Sequence, residues 1–187
     1  MTVATRLSLE EFLALEDTEP ASEYACGDVW QKPMPDNAHA ILQPYIWMLL
    51  HQFVTAAGLG RVRVEWRCIF GPAGAERVFV PDVCYASYER MPPGDARAHR
   101  FLRTAPDLAV EVLTPDQRAS RFADKLVFYL LNGVRLVWVV EPHEEQIYVY
   151  RPGRVADRLR AGTTLTGGEV LPGFSAAVTD IFAQLQR

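Results

Sequence analysis

The chain has 187 residues, of which 49% are apolar, 11% aromatic and 22% charged, and its formal net charge is −4. This length and composition are typical of one globular domain, so we expect residues 1–187 to form a single domain and exclude collagen, coiled coils and intrinsic disorder. The negative net charge argues against a protein that coats nucleic acid non-specifically.

Membrane insertion and export are not expected from this sequence. Apolar stretches such as residues 136–140 are far shorter than the about 20 residues that span a bilayer. Glu10 and Glu11 interrupt the first hydrophobic segment, unlike the apolar region of a signal peptide. The 3 cysteines show no CxxC spacing, which favours free thiols in a reducing compartment. We therefore expect a cytoplasmic protein.

The N-terminal third predicts two helices separated by an extended segment. Residues 8–11 have the S-x-x-E form of a capping box, which predicts a short helix over residues 9–16. Residues 23–34 predict a turn and a short extended pair. Asn37 can cap a long helix that has apolar residues at helical spacing and is ended by Gly58.

The middle of the chain predicts two strands followed by a loop. Apolar and polar side chains alternate over residues 62–70, which is typical of a half-buried strand. The Gly-Pro-Ala-Gly sequence at 71–74 predicts a turn, so residues 77–86 should return as the partner strand. Residues 87–106 predict a loop-rich segment.

The C-terminal part predicts an alternation of strands and helices. A strand over 108–113 is followed by a helix that ends at 132–133, and further strands are expected over 136–140 and 147–150. A small terminal helix is expected over residues 174–185. The order helix, three strands, helix, strand (α-β-β-β-α-β) predicts an α/β fold in which a mixed β-sheet is flanked by helices.

Two carboxylates stand in the middle of apolar strand sequences. Asp82 lies within 78–83 and Glu111 within 108–113, and burying either one costs free energy unless a partner compensates it. Taken singly, each is best explained by a buried ion pair with arginine. If the two strands are neighbours, both carboxylates can meet at one place on the sheet, where they would suit Mg²⁺.

Lysine is scarce in this chain. Only Lys32 and Lys125 are lysines among 19 basic residues, which directs attention to places where a compact, titratable ammonium is needed. Lys125 follows Glu111 by 14 residues, and a helix packed back across its own sheet can direct such a side chain to the strand it just left. A surface lysine paired with Asp116 is the alternative.

The order of these residues resembles a known family. The matching segments are Glu23-Tyr24-Ala25-Cys26-Gly27-Asp28, His39, Pro81-Asp82, Glu111-Val112-Leu113-Thr114-Pro115, Asp124-Lys125 and Val137-Trp138-Val139-Val140-Glu141-Pro142. Together they resemble the Uma-type "putative restriction endonucleases", also known as domain of unknown function 820, within the PD-(D/E)xK nuclease superfamily. The resemblance extends over nearly the whole chain and implies a restriction-endonuclease-like core.

The resemblance implies a metal centre built on two acids. Asp82 and Glu111 would be the metal ligands, with the backbone carbonyl of Val112 as a third candidate. Glu23 matches an early acid that faces the site through a metal-bound water. His39 is a candidate auxiliary base or phosphate contact.

The resemblance also assigns a role to the second lysine. Lys125 matches a catalytic lysine that has moved from the strand to the helix, since Leu113 stands where the wider superfamily has lysine. Cys26 and Glu141 each replace an aspartate that is common in the family. Neither replacement touches the expected core of the site.

The implied activity is hydrolysis of phosphodiester bonds in DNA, with Mg²⁺ as cofactor and Mn²⁺ as a substitute. A divalent ion held by the two acids would polarise the phosphate and lower the pKa of its bound water. The lysine would orient that water or stabilise the developing negative charge. A homodimer is expected, with residues 147–150 and the surface near Trp30 as candidate contacts.

Two alternatives remain open at this point. The chain could be a nuclease-like scaffold that binds a partner or nucleic acid without cutting it, or an enzyme acting on a small phosphate ester. Basic residues recur over 97–103 and 154–160, and they could follow a phosphate backbone or belong to solvated loops.

Overall fold

A computed structural model describes residues 6–95, 97, 99–115 and 119–186. Its helices are α1 (Leu9–Ala14), α2 (Asn37–Ala56), α3 (Ala119–Leu131) and α4 (Val178–Phe182), and a 3₁₀ turn follows at Ala183–Gln186. The first six strands are β1 (Ser22–Ala25), β2 (Asp28–Gln31), β3 (Gly60–Val64), β4 (Cys68–Phe70), β5 (Arg77–Phe79) and β6 (Val83–Ser87). The others are β7 (Leu108–Val112), β8 (Leu136–Glu141), β9 (Gln146–Tyr150), β10 (Asp157–Leu159), β11 (Thr164–Gly167) and β12 (Leu171–Ala177).

The strands form two main sheets and a separate pair. The larger sheet has six strands in the order β10-β9-β8-β7-β6-β3, and only its β7–β8 pairing is parallel. The smaller sheet has four antiparallel strands in the order β2-β1-β5-β4, and β11 pairs with β12. Helix α3 connects β7 to β8, because a parallel pair needs a crossover connection.

The larger sheet buries both of its faces. One face packs against α2, α4 and β12 through a cluster that includes Leu50, Trp138 and Phe174. The opposite face packs against α3 and the smaller sheet through a second cluster that includes Phe79 and Tyr129. Because successive side chains of a strand point to opposite faces, β7 and β8 contribute to both clusters. This double burial explains the nearly continuous apolar sequence of β8.

The α/β fold predicted from the sequence, a mixed sheet flanked by helices, is confirmed. The predicted element order was incomplete, since it placed no strand over β10, β11 or β12. Within the described ranges, no helix combines the length and the apolar character needed to cross a bilayer.

Two of the predicted strands are wrong as continuous elements. The segment 62–70 is divided between β3 and β4, because Glu65 adopts the left-handed region with φ 47° and the chain leaves the larger sheet for the smaller one. The segment 77–86 is likewise divided, because Pro81 cannot donate a ladder hydrogen bond. Asp82 therefore lies where the chain returns to the larger sheet, and not in the middle of a strand.

Helix ends also differ from the sequence prediction in places. The capping box is confirmed, since Ser8 Oγ accepts the Glu11 N–H at 3.1 Å and Glu11 Oε2 accepts the Ser8 N–H at 2.7 Å. Helix α2 is capped by Asp36 and not by Asn37, which is its first residue. The terminal helix begins at Val178, because the preceding residues pair with β11 as part of β12.

Asp107 provides a test of how buried charge stabilises this fold. Its side chain is 1% exposed, accepts the Ser87 N–H at 2.8 Å and lies 3.0 Å from Arg90 Nε. We predict that Asp107→Ala lowers the free energy of unfolding by about 3 kcal/mol or more, because it leaves a partly buried arginine without its carboxylate.

The measurement is urea denaturation followed by circular dichroism, with Asp157→Ala as the matched control. Asp157 also pairs with an arginine, Arg151 at 2.6 Å, but its side chain is 59% exposed. Its replacement should change the free energy of unfolding by less than about 1 kcal/mol. Equal losses in the two variants would contradict the prediction.

Candidate active site

A cavity of about 410 Å³ opens where the two main sheets meet α3. The six residues proposed from the sequence all line it: Glu23, His39, Asp82, Glu111, Val112 and Lys125. They come from β1, the start of α2, the crossing between β5 and β6, the end of β7 and α3. The structure thus brings together residues that are separated by up to about a hundred positions in the sequence.

Asp82 is held on both of its carboxylate oxygens. Its Oδ1 is paired with the ammonium of Lys32. Its Oδ2 accepts the backbone N–H of Val112 at 2.7 Å and lies 3.2 Å from His39 Nε2. Burial opposes ionisation of this carboxyl, but Lys32 and His39 outweigh it and hold the pKa of Asp82 well below its ordinary value.

Glu111 and Glu23 share the ammonium of Lys125. The Lys125 Nζ lies 2.8 Å from Glu111 Oε1 and 2.7 Å from Glu23 Oε1, and its side chain is only 6% exposed. Burial alone would lower the pKa of Lys125, but Glu111 and Glu23 outweigh burial and raise it, so that the amine is charged at neutral pH. The alternative of a surface lysine is wrong, and Asp116 lies outside the described residues.

Two further contacts fix these carboxylates in place. Glu23 Oε1 also accepts the backbone N–H of Val80 at 2.9 Å, which ties β1 to the crossing next to Asp82. The hydroxyl of Tyr129 donates to Glu111 Oε1 at 2.9 Å. Each acid therefore has a defined orientation, and neither depends on the lysine alone.

The cavity contains more negative than positive side chains at its buried end. Three buried carboxylates, Asp82, Glu111 and Glu23, face two ammonium groups, that of Lys125, which is buried, and that of Lys32, which is partly buried. Burial, reinforced by the charge of Asp82 and opposed by Lys125, raises the pKa of Glu111 to about 7. The surroundings of Glu111 therefore oppose its negative charge.

The donor set suits a hard divalent cation. Carboxylate oxygens are the ligands that Mg²⁺ prefers, and Mg²⁺ commonly takes only one or two protein carboxylates and retains water in its other positions. The excess negative charge favours such a cation. In the part of the chain that the structure describes, however, no three or more His, Cys, Asp or Glu side chains are arranged as a ready metal cluster. The backbone carbonyl of Val112 as a ligand stays a prediction.

Sequence reasoning missed three polar residues of the site. Lys32 was noted only for the scarcity of lysine, yet it pairs with Asp82. Tyr129 is fully buried in the core, and its hydroxyl also donates a hydrogen bond to Glu111. Its position one helical turn after Lys125 was the signal that could have shown this. Thr114 also lines the cavity, and its buried Oγ1 has no hydrogen-bond partner among the described residues.

Other sequence-predicted features lie away from the cavity. The arginines at 97, 100, 103, 154, 158 and 160 do not line it, and Arg97 pairs with Asp95 while Arg100 lies 3.5 Å from Asp17. The strand β9 lies inside the larger sheet with Ile147 and Val149 buried, whereas Tyr148 and Tyr150 are partly exposed, and the dimer contact over 147–150 stays a prediction. Trp30 is half-buried at the cavity, where the guanidinium carbon of Arg121 lies 4.9 Å from its ring centre.

The fold is shared with a protein of known structure. A crystal structure described as a "putative nuclease belonging to DUF820", from Anabaena variabilis, superposes on this chain with a TM-score of 0.86 at 28% sequence identity. The match covers 96% of this chain and 99% of that chain. The fold is therefore that of a nuclease-like α/β protein.

The family assignment follows from a second comparison. The model of the Uma2 family, described as "putative restriction endonuclease", matches residues 9–179. The chain belongs to this family, and the resemblance found in the sequence is confirmed. No curated protein matches the chain.

The raised pKa of Glu111 makes the stability of the metal-free protein depend on pH. Glu111 titrates near 7 when folded and near its ordinary value of 4.5 when unfolded, so its stabilising contribution is complete below pH 4.5 and is lost as the pH rises through 7. We predict that the free energy of unfolding of Glu111→Gln, relative to that of the wild type, increases by about 2–3 kcal/mol as the pH rises from 5 to 8.

The measurement is urea unfolding in the presence of a chelator at several pH values. Glu169→Gln serves as the control, because Glu169 is exposed and its replacement should leave the pH dependence as in the wild type. If the difference in free energy of unfolding between Glu111→Gln and the wild type is the same at every pH in this range, the pKa of Glu111 is not raised.

Proposed function

We propose that this protein is a divalent-metal-dependent endonuclease that hydrolyses phosphodiester bonds in DNA. The observation that carries the proposal is the meeting of Asp82, Glu111 and Lys125 in one cavity, with Lys125 Nζ 2.8 Å from Glu111. The nuclease-like fold and the family membership support the same reaction.

Asp82 and Glu111 are the residues that would hold Mg²⁺ or Mn²⁺. When bound, such an ion polarises a phosphate oxygen and lowers the pKa of its coordinated water. Lys32 and His39 keep Asp82 ionised, and Val112 and His39 orient it through its Oδ2. Tyr129 orients Glu111 through its Oε1. The protein thus presents two fixed carboxylates without a rearrangement of its backbone.

Lys125 provides the positive charge that the transition state needs. Its ammonium is oriented by Glu23 and Glu111, lies beside the cavity and is shielded from water. In this position it orients the attacking water and stabilises the negative charge that develops on the phosphate oxygens. Glu23 acts as a positioning residue, because it holds Lys125 and is itself anchored by Val80.

A metal titration combined with DNA cleavage tests the proposal. We expect the wild type to take up Mn²⁺ in calorimetry and to nick plasmid or single-stranded DNA only with Mg²⁺ or Mn²⁺. Asp82→Asn and Glu111→Gln should lose both uptake and cleavage, because each removes an anionic ligand. Asp157→Asn, at an exposed acid outside the cavity, is the control and should retain both.

The two alternatives predict different results in this experiment. A protein that takes up no metal and leaves DNA intact would be a nuclease-like scaffold. A protein that takes up metal but cuts neither form of DNA would act on a smaller phosphate ester. Either result would overturn the endonuclease proposal.

Replacement of Lys125 separates metal binding from catalysis. Lys125→Arg retains a positive charge but has a wider and planar group, so we expect it to take up Mn²⁺ and to cleave DNA about 100-fold or more slowly. Arg160→Met, which removes an exposed charge outside the cavity, should cleave at the wild-type rate. Wild-type cleavage by Lys125→Arg would contradict the role of Lys125.

The sequence also predicts a single domain, a homodimer and a cytoplasmic location. These stay predictions, and the proposed chemistry at the cavity requires none of them.

A further inference from the structure

Asp82 Oδ1, the oxygen that points away from Val112 and His39, is already occupied by a cation of the protein itself. Lys32 pairs with this atom, while the Val112 N–H and His39 Nε2 both lie against Oδ2. The Lys32 side chain is 12% exposed and the Asp82 side chain 3% exposed, so water screens this pair poorly. A second cation at Oδ1 would meet strong repulsion from the ammonium.

Lys32 can move without a change in the fold. It follows β2, which is an edge strand of the smaller sheet, and precedes Pro33. Its backbone is fixed by a hydrogen bond from its N–H to the carbonyl of Ala21 at 2.9 Å. The ammonium sits on a flexible four-carbon stem that borders the cavity, so rotation of the side chain alone can carry it away from Asp82.

The other lysine of the site is held more firmly. Lys125 contacts two carboxylates, Glu23 and Glu111, and belongs to the body of α3. Among the described residues, Lys32 contacts the carboxylate of Asp82 alone. Of the two ammonium groups, that of Lys32 is therefore the one that a stronger cation displaces.

We propose that Lys32 is an internal counter-ion that a divalent cation must displace from Asp82, and that its released ammonium then binds an anionic oxygen of the phosphodiester in the cavity. The inference rests on the proposed metal-dependent reaction. Lys32 thereby stabilises Asp82 while the site is empty of metal and contributes a substrate contact once metal is bound. Removal of the Lys32 ammonium should therefore strengthen metal binding and weaken DNA binding.

Mn²⁺ calorimetry tests the first role. Lys32→Met should bind Mn²⁺ about tenfold more tightly than the wild type. In the wild type, binding must break one charged hydrogen bond, and the free energy of such a bond corresponds to about this factor in affinity. Lys32→Gln, which keeps a polar tip, is measured beside it and should also bind more tightly. Lys32→Arg keeps a competing charge and should stay near the wild-type affinity.

Arg121→Met is the matched control for a general effect of charge. Arg121 also lines the cavity, but its guanidinium stacks on Trp30 and contacts no carboxylate among the described residues. Its replacement should leave Mn²⁺ affinity close to the wild-type value. The inference would be overturned if Arg121→Met gained as much Mn²⁺ affinity as Lys32→Met. It would also be overturned if neither Lys32→Met nor Lys32→Gln bound Mn²⁺ more tightly than the wild type. If neither the wild type nor Lys32→Met bound Mn²⁺, the proposed function itself would fail.

DNA binding tests the second role. With Mn²⁺ present, and in the Lys125→Arg background so that little DNA is cleaved during the measurement, Lys32→Met should bind a duplex oligonucleotide more weakly than its parent. The slope of log affinity against log salt concentration should decrease in magnitude by about 1, as expected for the loss of one phosphate contact. An unchanged affinity and slope would overturn the substrate contact and leave Lys32 as a counter-ion only.

Discussion

Burial of Asp82, Glu111 and Glu23 beside one cavity carries a desolvation cost that Lys32 and Lys125 only partly offset. These five side chains come from β1, the residue after β2, the crossing between β5 and β6, the end of β7 and α3. Burial, reinforced by the charge of Asp82, raises the pKa of Glu111, and the remaining excess of negative charge favours a bound cation. The cavity for which we propose a function therefore contains a buried carboxyl whose ionisation is opposed by its surroundings.

The backbone places these charges by moving twice between the two main sheets. The chain leaves the larger sheet at Glu65 and returns at Pro81 and Asp82, and the Glu65 N–H donates to the Asp82 carbonyl at 3.2 Å where the two crossings meet. A straight hairpin would have placed Asp82 in a regular ladder with its side chain on one sheet face. The break instead directs its carboxylate to the end of β7, where the Val112 N–H donates to it directly.

Much of this arrangement could be predicted from the sequence. Apolar periodicity located most helices and strands, and carboxylates flanked by apolar residues identified Asp82 and Glu111 as unusual. The strand break at Glu65 could not be predicted, because a left-handed Glu65 has no signal in its residue type, whereas Pro81 was a signal for the second break that the strand prediction passed over. Strands β10 to β12 were missed because they are short or interrupted by residues such as Gly173, whose φ is +88°.

The site residues were predicted better than the contacts between them. The six residues proposed from the sequence line one cavity, whereas the partnership of Lys32 with Asp82 joins positions 50 residues apart and depends on the packing of one sheet against another. Tyr129 shows a further limit of prediction from sequence. Its ring fills the core while its hydroxyl donates a hydrogen bond to Glu111, and the residue type alone does not distinguish the two roles.

The use of both lysines in the cavity has a practical consequence. Because the chain contains only Lys32 and Lys125, and both are largely buried, its outer surface offers no lysine side chain to amine-reactive reagents. Acylating dyes and cross-linkers, which usually react with lysines on protein surfaces, would react with these two lysines only when the cavity makes them accessible. The rate of acylation at each lysine, measured by mass spectrometry, would therefore depend on whether the cavity is occupied.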